Sequence, residues 1–143
     1  TQSRKNIIWT FGGAGSHDIR DGILEKDDDP RIKKWRYDHE KMFRINHMSW
    51  WKEGLPSEDE MEEGRRNLAS AENKVDFIVI HCGAASSILL YSLGGYKPDI
   101  LTDHLEEVRQ KTIFKKWFMG HYHDNYAVND KEIIIYEQIV RIA

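Results

Sequence analysis

Apolar runs separated by charged and glycine-containing segments define the pattern of this chain. The runs, each of a length typical of a β-strand, are residues 7–11, 75–81, 117–119, 133–136 and 138–142. The run at 75–81 is apolar on both of its faces, which predicts a central strand that is covered on both sides. The pattern therefore predicts a sheet with one central strand near the middle of the sequence.

Helical signals fill the intervals between these runs. Ser57 and Glu60 form a capping-box pattern, which predicts a helix from Ser57 to Asn73. The other assignments are a solvated helix at 31–41, a helix capped by Ser86 or Ser87 and ended by Gly94–Gly95, a helix capped by Thr102, and a long loop at 12–30.

Alternating strands and helices, with short strands near the end, predict an α/β fold with a mixed sheet layered with helices. The chain of 143 residues fits a single domain, residues 1–143. Its net charge of −3 gives no basic excess, so nucleic acid is not expected as a non-specific partner. One cysteine excludes an internal disulfide framework and suits a reducing compartment. The lack of a membrane-length apolar run or a signal peptide favours a cytoplasmic location without a membrane partner.

Three of the 7 histidines lie at the carboxyl ends of predicted strands, where open α/β sheets have their functional sites. His81 ends the run at 75–81, and His121 and His123 follow the run at 117–119. Functional sites form outside the carboxyl ends of parallel strands, and residues i and i+2 of an extended segment share a face. Neutral imidazole binds Zn, Fe, Mn, Co and Ni. We therefore predict that the three rings converge on a divalent transition metal.

The remaining candidates receive plainer interpretations. Cys82 makes a poor nucleophile–base pair with His81, because adjacent residues of a strand point to opposite faces. The segment after the first run lacks the third glycine of a dinucleotide fingerprint, so a nucleotide site there is disfavoured. Residues interpreted as solvated are His17, His39, His47 and His104, and those interpreted as core are Trp9 and Trp117. For Trp50 and Trp51 two interpretations stay open: packing in the core, or part of a surface that binds a partner.

The motif Gly120-His121-Tyr122-His123 resembles the G-H-x-H signature of the calcineurin-like metallophosphoesterases. His81 resembles the isolated metal-binding histidine of that family. Residues 12–18 and 49–58 are similar, in the right order, to the G-G-A-x-S-x-D and S-W-W…P-S-E segments of one bacterial branch. The resemblance therefore extends over nearly the whole chain.

This resemblance implies a fold, a cofactor and a reaction. Family members are four-layer α/β/β/α sandwiches that bind two metal ions and hydrolyse a phosphate ester with a metal-bound hydroxide. By this resemblance His81 and His121 bind one metal and His123 binds the other. Two-metal sites stabilise both the attacking and the leaving oxygens of such a displacement.

The motifs that supply the carboxylate ligands of the family are missing from the chain. No D-x-H and no G-D-x-x-D occurs, and Asn46–His47 lacks the glycine and the position of the G-N-H motif. We therefore expect the C-terminal half of a metallophosphoesterase sandwich, with little activity alone and a two-metal site only if the missing motifs are supplied. The expected partner is a separate N-terminal half or a second copy of the chain. The alternative is a non-catalytic interaction or structural module descended from the fold.

Overall fold

The chain folds as a mixed α/β protein in a computed structural model that describes residues 5–16 and 18–142. It divides into two compact units, one formed by Thr1–Ala14 with Pro56–Ala143 and the other by Gly15–Leu55. The strands are β1 (Ile8–Phe11), β2 (Gly22–Leu24), β3 (Phe43–Ile45), β4 (Phe77–Ile80), β5 (Lys116–Met119), β6 (Tyr126–Ala127) and β7 (Glu132–Ile134), and the helices are α1 (Arg31–Trp35), α2 (Glu58–Ser70), α3 (Ala85–Tyr91) and α4 (Ile100–Lys111). A single domain over residues 1–143 stays a prediction.

The larger unit is built on a five-stranded sheet with the order β1-β4-β5-β7-β6. The first four strands are parallel, and β6 pairs with β7 in the antiparallel direction. The register aligns Trp9, Ile78, Trp117 and Glu132 in one row across the sheet. Ile78 and Trp117 are fully buried at 0% exposure, so the core of the unit lies on this row.

The three helices of the larger unit contact the face of the sheet that carries this row. Gly64 of α2 lies so close to Phe11 that a Cβ atom there would sit 2.9 Å from the ring. The His104 ring of α4 packs on Phe11 with centroids 5.2 Å apart. In α3, Ser87 donates a hydrogen bond to Glu132 Oε1 at 3.0 Å. The apolar stripes of the three helices are therefore buried against one side of the sheet.

The opposite face of the sheet carries apolar side chains that stay partly open to solvent. Val79 of the interior strand β4 is 39% exposed, and Ile8 of the edge strand β1 is 47% exposed. Phe77 and Phe118 on the same face are buried, with ring centroids 6.3 Å apart. Strands of a parallel sheet are ordinarily covered on both faces, so this face lacks part of the cover that its composition favours.

The smaller unit holds a two-stranded parallel sheet of β2 and β3 together with α1. Leu24, Ile32 and Ile45 form its buried core, against which Trp35 and Phe43 pack. Arg31 and Lys41 each lie over the Trp35 ring, 5.3 and 5.6 Å from its centroid. A small apolar core and the cation–π contacts on Trp35 therefore stabilise this unit.

The strands and helices with strong local signals were predicted correctly. The strands at β1, β4, β5 and β7 are confirmed, but the prediction that β4 is covered on both sides is wrong, because Val79 on its second face is 39% exposed. The capping box of Ser57 and Glu60 is formed in both directions, which confirms the start of α2. Trp9 and Trp117 are core residues, as predicted, with 7% and 0% exposure.

Other boundaries were wrong. Asp99 caps α4 and bonds reciprocally with Thr102, which lies three residues inside the helix. Neither serine caps α3, whose N-cap is Ala84. The loop predicted at 12–30 contains β2, and the strand predicted at 138–142 is absent from the described residues up to 142. No helix in the described part of the chain is long and apolar enough to cross a bilayer.

Candidate metal centre

Two of the predicted histidines meet at one edge of the sheet. His81 directly follows β4, and His121 follows β5 after Gly120. The two strands are parallel neighbours with Ile80 opposite Met119. Because parallel neighbours end at the same edge, the residues that follow them lie side by side.

The His81 and His121 rings are in direct contact. Nε2 of His81 lies 3.3 Å from Nδ1 of His121. The ring centroids are 5.1 Å apart, and the ring planes meet at 71°. The backbone therefore presents two imidazole nitrogens at a single point on the surface.

The spacing of these nitrogens fits one transition metal. Two nitrogens that each lie about 2.0–2.1 Å from a tetrahedral Zn²⁺ are about 3.3–3.4 Å apart. The observed 3.3 Å equals that span, so little movement would be needed for both rings to bind one ion. The same distance also suits a weak N–H···N hydrogen bond between a donor and an acceptor ring. The pair can thus act as two ligands or as a hydrogen-bonded couple.

His123 is not grouped with this pair. Its ring stacks on Tyr136, with centroids 5.0 Å apart and planes inclined by 26°. Within residues 5–16 and 18–142, no three side chains of His, Cys, Asp or Glu are clustered so that they could hold a metal. The three rings therefore do not form one cluster, and a metal at His123 stays a prediction.

The loop after β5, here called the second loop, carries His121 and His123, and both have an unusual backbone conformation. His121 has φ 70° and His123 has φ 50°, both in the left-handed region. A residue with a side chain occupies this region at a cost of about 1–3 kcal/mol where the surroundings impose it, and such residues concentrate at functional sites. Gly120 lies against the His81 ring, since a Cβ atom at this position would be 3.4 Å from His81 Nδ1, at van der Waals contact.

Tyr122, between these two histidines, points into the protein. It is 8% exposed, and its Oη accepts a hydrogen bond from the Gly83 amide at 3.2 Å. The same oxygen lies 3.3 Å from Cys82 Sγ. Burial raises the pKa of the Tyr122 hydroxyl and of the Cys82 thiol. Both groups are therefore protonated at neutral pH.

A cluster of tyrosines surrounds this buried ring, and no periodic pattern of residues predicts it. Tyr122 contacts Tyr91 and Tyr96, with centroids 5.6 and 5.5 Å away. Tyr91 donates a hydrogen bond to Asp124 Oδ2 at 2.9 Å. Burial, with this bond, raises the pKa of Tyr91 to about 12. The cluster holds the loop that carries His121 and His123 in place from the protein interior.

The predictions for the other four histidines had different outcomes. His39 and His47 are exposed, as predicted, and His17 lies outside the described residues. The solvated interpretation of His104 is wrong, because this residue is only 4% exposed. Neither of its ring nitrogens has a hydrogen-bond partner among the described residues. Its position three residues after Leu101 and four before Val108 is the helical spacing that could have identified it as core.

Comparison of the chain with protein-family models, curated proteins and solved structures finds no match. The metallophosphoesterase family therefore stays a resemblance carried by the sequence motifs. The candidate metal centre rests on the His81–His121 geometry and on the position of both rings at the carboxyl edge of the sheet.

Proposed function

We propose that this chain is part of a metal-dependent phosphoesterase and that His81 and His121 hold a divalent transition metal. The observation that carries the proposal is the 3.3 Å separation of their ring nitrogens at the carboxyl edge of two parallel strands. The resemblance assigns these two histidines to one metal and His123 to the other. The contact between the His81 and His121 rings supports the first of these two assignments.

The chemistry of the donors limits the choice of metal. Imidazole nitrogen favours Zn, Fe, Mn, Co and Ni over Mg and Ca. When bound, such an ion polarises the oxygens of a phosphate ester and lowers the pKa of a coordinated water. The role of this chain is to hold the two imidazole rings at the spacing that one ion requires. It also leaves the outward side of the site open to substrate. His81 is exposed and His121 is half-buried, so a phosphate group can approach the pair from the side of His81.

The described residues supply no carboxylate to the pair. Neutral imidazoles do not balance a charge of about +4, which a two-metal site carries. Asp124, the nearest acidic residue in sequence to the second loop, accepts a hydrogen bond from Tyr91 and does not join the pair. We therefore propose that the chain is the C-terminal portion of the enzyme and that it hydrolyses phosphate esters feebly on its own.

The missing carboxylates and the partly open sheet face suggest the kind of partner. A four-layer sandwich stacks a second sheet on the face that carries Val79 and Ile8. This second sheet is proposed to come from an N-terminal half of the enzyme or, in its absence, from a second copy of the chain. Val79 lies in an interior strand and is still 39% exposed, and this observation supports the proposal.

A non-catalytic module is the second candidate. The observation that favours it is that the same 3.3 Å distance suits a hydrogen bond between the two imidazole rings. In that case the pair joins the loops after β4 and β5 without a metal. The chain would then fold and associate with partners without metal or turnover.

Metal titration distinguishes the two candidates. Isothermal titration calorimetry with Zn²⁺, supported by elemental analysis of the dialysed protein, should give one ion per His81–His121 pair. His81→Ala and His121→Ala should each remove this binding, whereas the exposed control His39→Ala should retain it. Wild-type chain that binds no Zn²⁺, or a His81→Ala variant that binds as well as wild type, would contradict the metal centre.

An activity measurement then tests the completeness of the site. With added Mn²⁺ and an aryl phosphate, the chain alone should turn over far more slowly than the typical enzyme median of about 10 per second. Turnover near that value would mean that the chain already contains every necessary ligand. Added N-terminal segment with the D-x-H, G-D-x-x-D and G-N-H motifs should raise the rate, and His81→Ala should abolish the gain.

A further inference from the structure

We infer that Tyr122 is the positioning residue of the proposed metal centre and that its hydroxyl sets the spacing of the His81 and His121 rings. The inference rests on the proposed function, since it concerns how the same two ligands are held. Tyr122 is not itself a ligand in this scheme, because its side chain is buried while His81 is exposed and His121 is half-buried.

The hydroxyl joins the two ligand loops directly. His81 begins the segment His81-Cys82-Gly83 after β4, and Tyr122 lies in the loop after β5. Tyr122 Oη accepts the Gly83 amide proton at 3.2 Å and contacts Cys82 Sγ at 3.3 Å. Both partners of the hydroxyl therefore lie within two residues of His81, and the tyrosine itself is adjacent to His121. A single oxygen fixes one loop to the other.

The backbone around Tyr122 makes this connection necessary. His121 and His123, on either side of it, both have positive φ values of 70° and 50°. Two such conformations, one on each side of a single residue, persist only where other contacts impose them. The buried Tyr122 ring packs on Tyr91 and Tyr96. Its hydroxyl bonds to the Gly83 amide and so determines where the loop after β4 lies relative to the loop after β5. Loss of the hydroxyl alone should leave the ring in place and free the Gly83 amide.

Outer contacts of this kind ordinarily have a measurable effect on metal affinity. Removing a group that hydrogen-bonds a ligating side chain lowers the metal affinity by about 10–100-fold, and Tyr122 acts one step further out, through the Gly83 amide. We expect a loss of about 10-fold for Tyr122→Phe, because the nitrogens would no longer be held at the span that one ion requires. Tyr126→Phe is the matched control, since its ring packs on Tyr91 at the edge of the same cluster, with centroids 5.4 Å apart, and it removes a hydroxyl that, within the described residues, bonds to neither loop.

The experiment compares Zn²⁺ affinity, measured by calorimetry on the full chain, with thermal stability, measured by circular dichroism. Tyr122→Phe should weaken Zn²⁺ binding about 10-fold and should alter the d–d spectrum of the Co²⁺ form, while Tyr126→Phe should bind Zn²⁺ within about 2-fold of wild type. Equal affinity and an unchanged Co²⁺ spectrum in Tyr122→Phe would overturn the inference and leave the metal centre intact. Wild-type chain without Zn²⁺ binding would overturn the proposed function and the positioning role with it.

A second measurement uses the wild-type chain and does not depend on folding of the variant. The Gly83 amide should show slow hydrogen exchange by NMR, because its proton is donated to a buried oxygen. Addition of Zn²⁺ should slow this exchange further. Exchange of the Gly83 amide at the rate of an unprotected loop would refute the connection.

Discussion

Removal of the buried Glu132 carboxylate should destabilise the larger unit by about 2–4 kcal/mol. Glu132 begins β7 and is only 1% exposed. Arg109 Nε donates to its Oε1 at 2.7 Å, Ser87 Oγ donates to the same oxygen at 3.0 Å, and Asn129 Nδ2 bonds to Oε2. The carboxylate thus ties α3 and α4 to the sheet.

The magnitude follows from what each partner would lose. Removing one member of a buried ion pair costs about 3–5 kcal/mol, because the other charge is left without a partner. The Arg109 side chain is 35% exposed, so water can replace part of the lost interaction, which places Glu132→Ala in the lower part of the range. Ser87 is 3% exposed, and its hydroxyl would lose a buried acceptor at a cost of about 1 kcal/mol or more.

Urea denaturation followed by circular dichroism measures this change. Glu132→Gln keeps the shape and one acceptor, so it should cost less than Glu132→Ala. The control Glu63→Gln disrupts an exposed ion pair with Arg66, 2.6 Å apart, and should change the free energy of unfolding by less than about 1 kcal/mol. If Glu132→Ala cost no more than the control, the carboxylate would not be an anchor of this fold.

Three further predictions concern other parts of the larger unit. Gly83→Ala should destabilise it by about 1–3 kcal/mol in urea, because the new Cβ would lie 2.7 Å from Met119 Sδ; a neutral result would mean that the loop shifts freely. Burial, and next the charge of Arg65, lowers the pKa of His104, so stability should fall as pH drops below the unfolded value of about 6.5. The melting temperature of His104→Leu should fall less than that of wild type between pH 7.5 and 5.5, and parallel curves would contradict this. Light scattering should show self-association of the isolated chain at micromolar concentration and its loss in Val79→Lys; a wild-type monomer with a cooperative melt would refute an open sheet face.

Local signals predicted the parts of the fold that depend on neighbouring residues in sequence. The capping box at Ser57 and Glu60 encloses its own hydrogen bonds, so the start of α2 could be located from four residues. At α4 the same reciprocal arrangement exists between Asp99 and Thr102, but both residue types favour caps, so the sequence alone did not distinguish the true cap, Asp99, from the predicted one, Thr102. The parallel pairing of β2 with β3 joins three-residue strands, which are too short to show a period of 2.

The candidate site could be predicted only in part, for a related reason. The placement of His81 and His121 at strand ends followed from the apolar runs, and the contact of their rings followed from the adjacency of β4 and β5. The stack of His123 on Tyr136 depends on how the chain turns after the second loop. The bond between Tyr122 and the Gly83 amide joins two loops 39 residues apart, and no local pattern encodes such a contact.

The open sheet face and the incomplete ligand set can be explained by one partner. The His81–His121 pair lies at the carboxyl edge of the sheet, and the partly exposed Val79 lies on the face of the strand that leads to this edge. Sheets that pack face to face lie about 10 Å apart, so the loops at the end of a stacked sheet would lie about that far from the two imidazoles. Carboxylates on such loops could reach a second metal ion and balance the charge that neutral histidines leave uncompensated. The residues that bury the apolar face and those that complete the proposed metal centre are therefore expected on the same partner sheet.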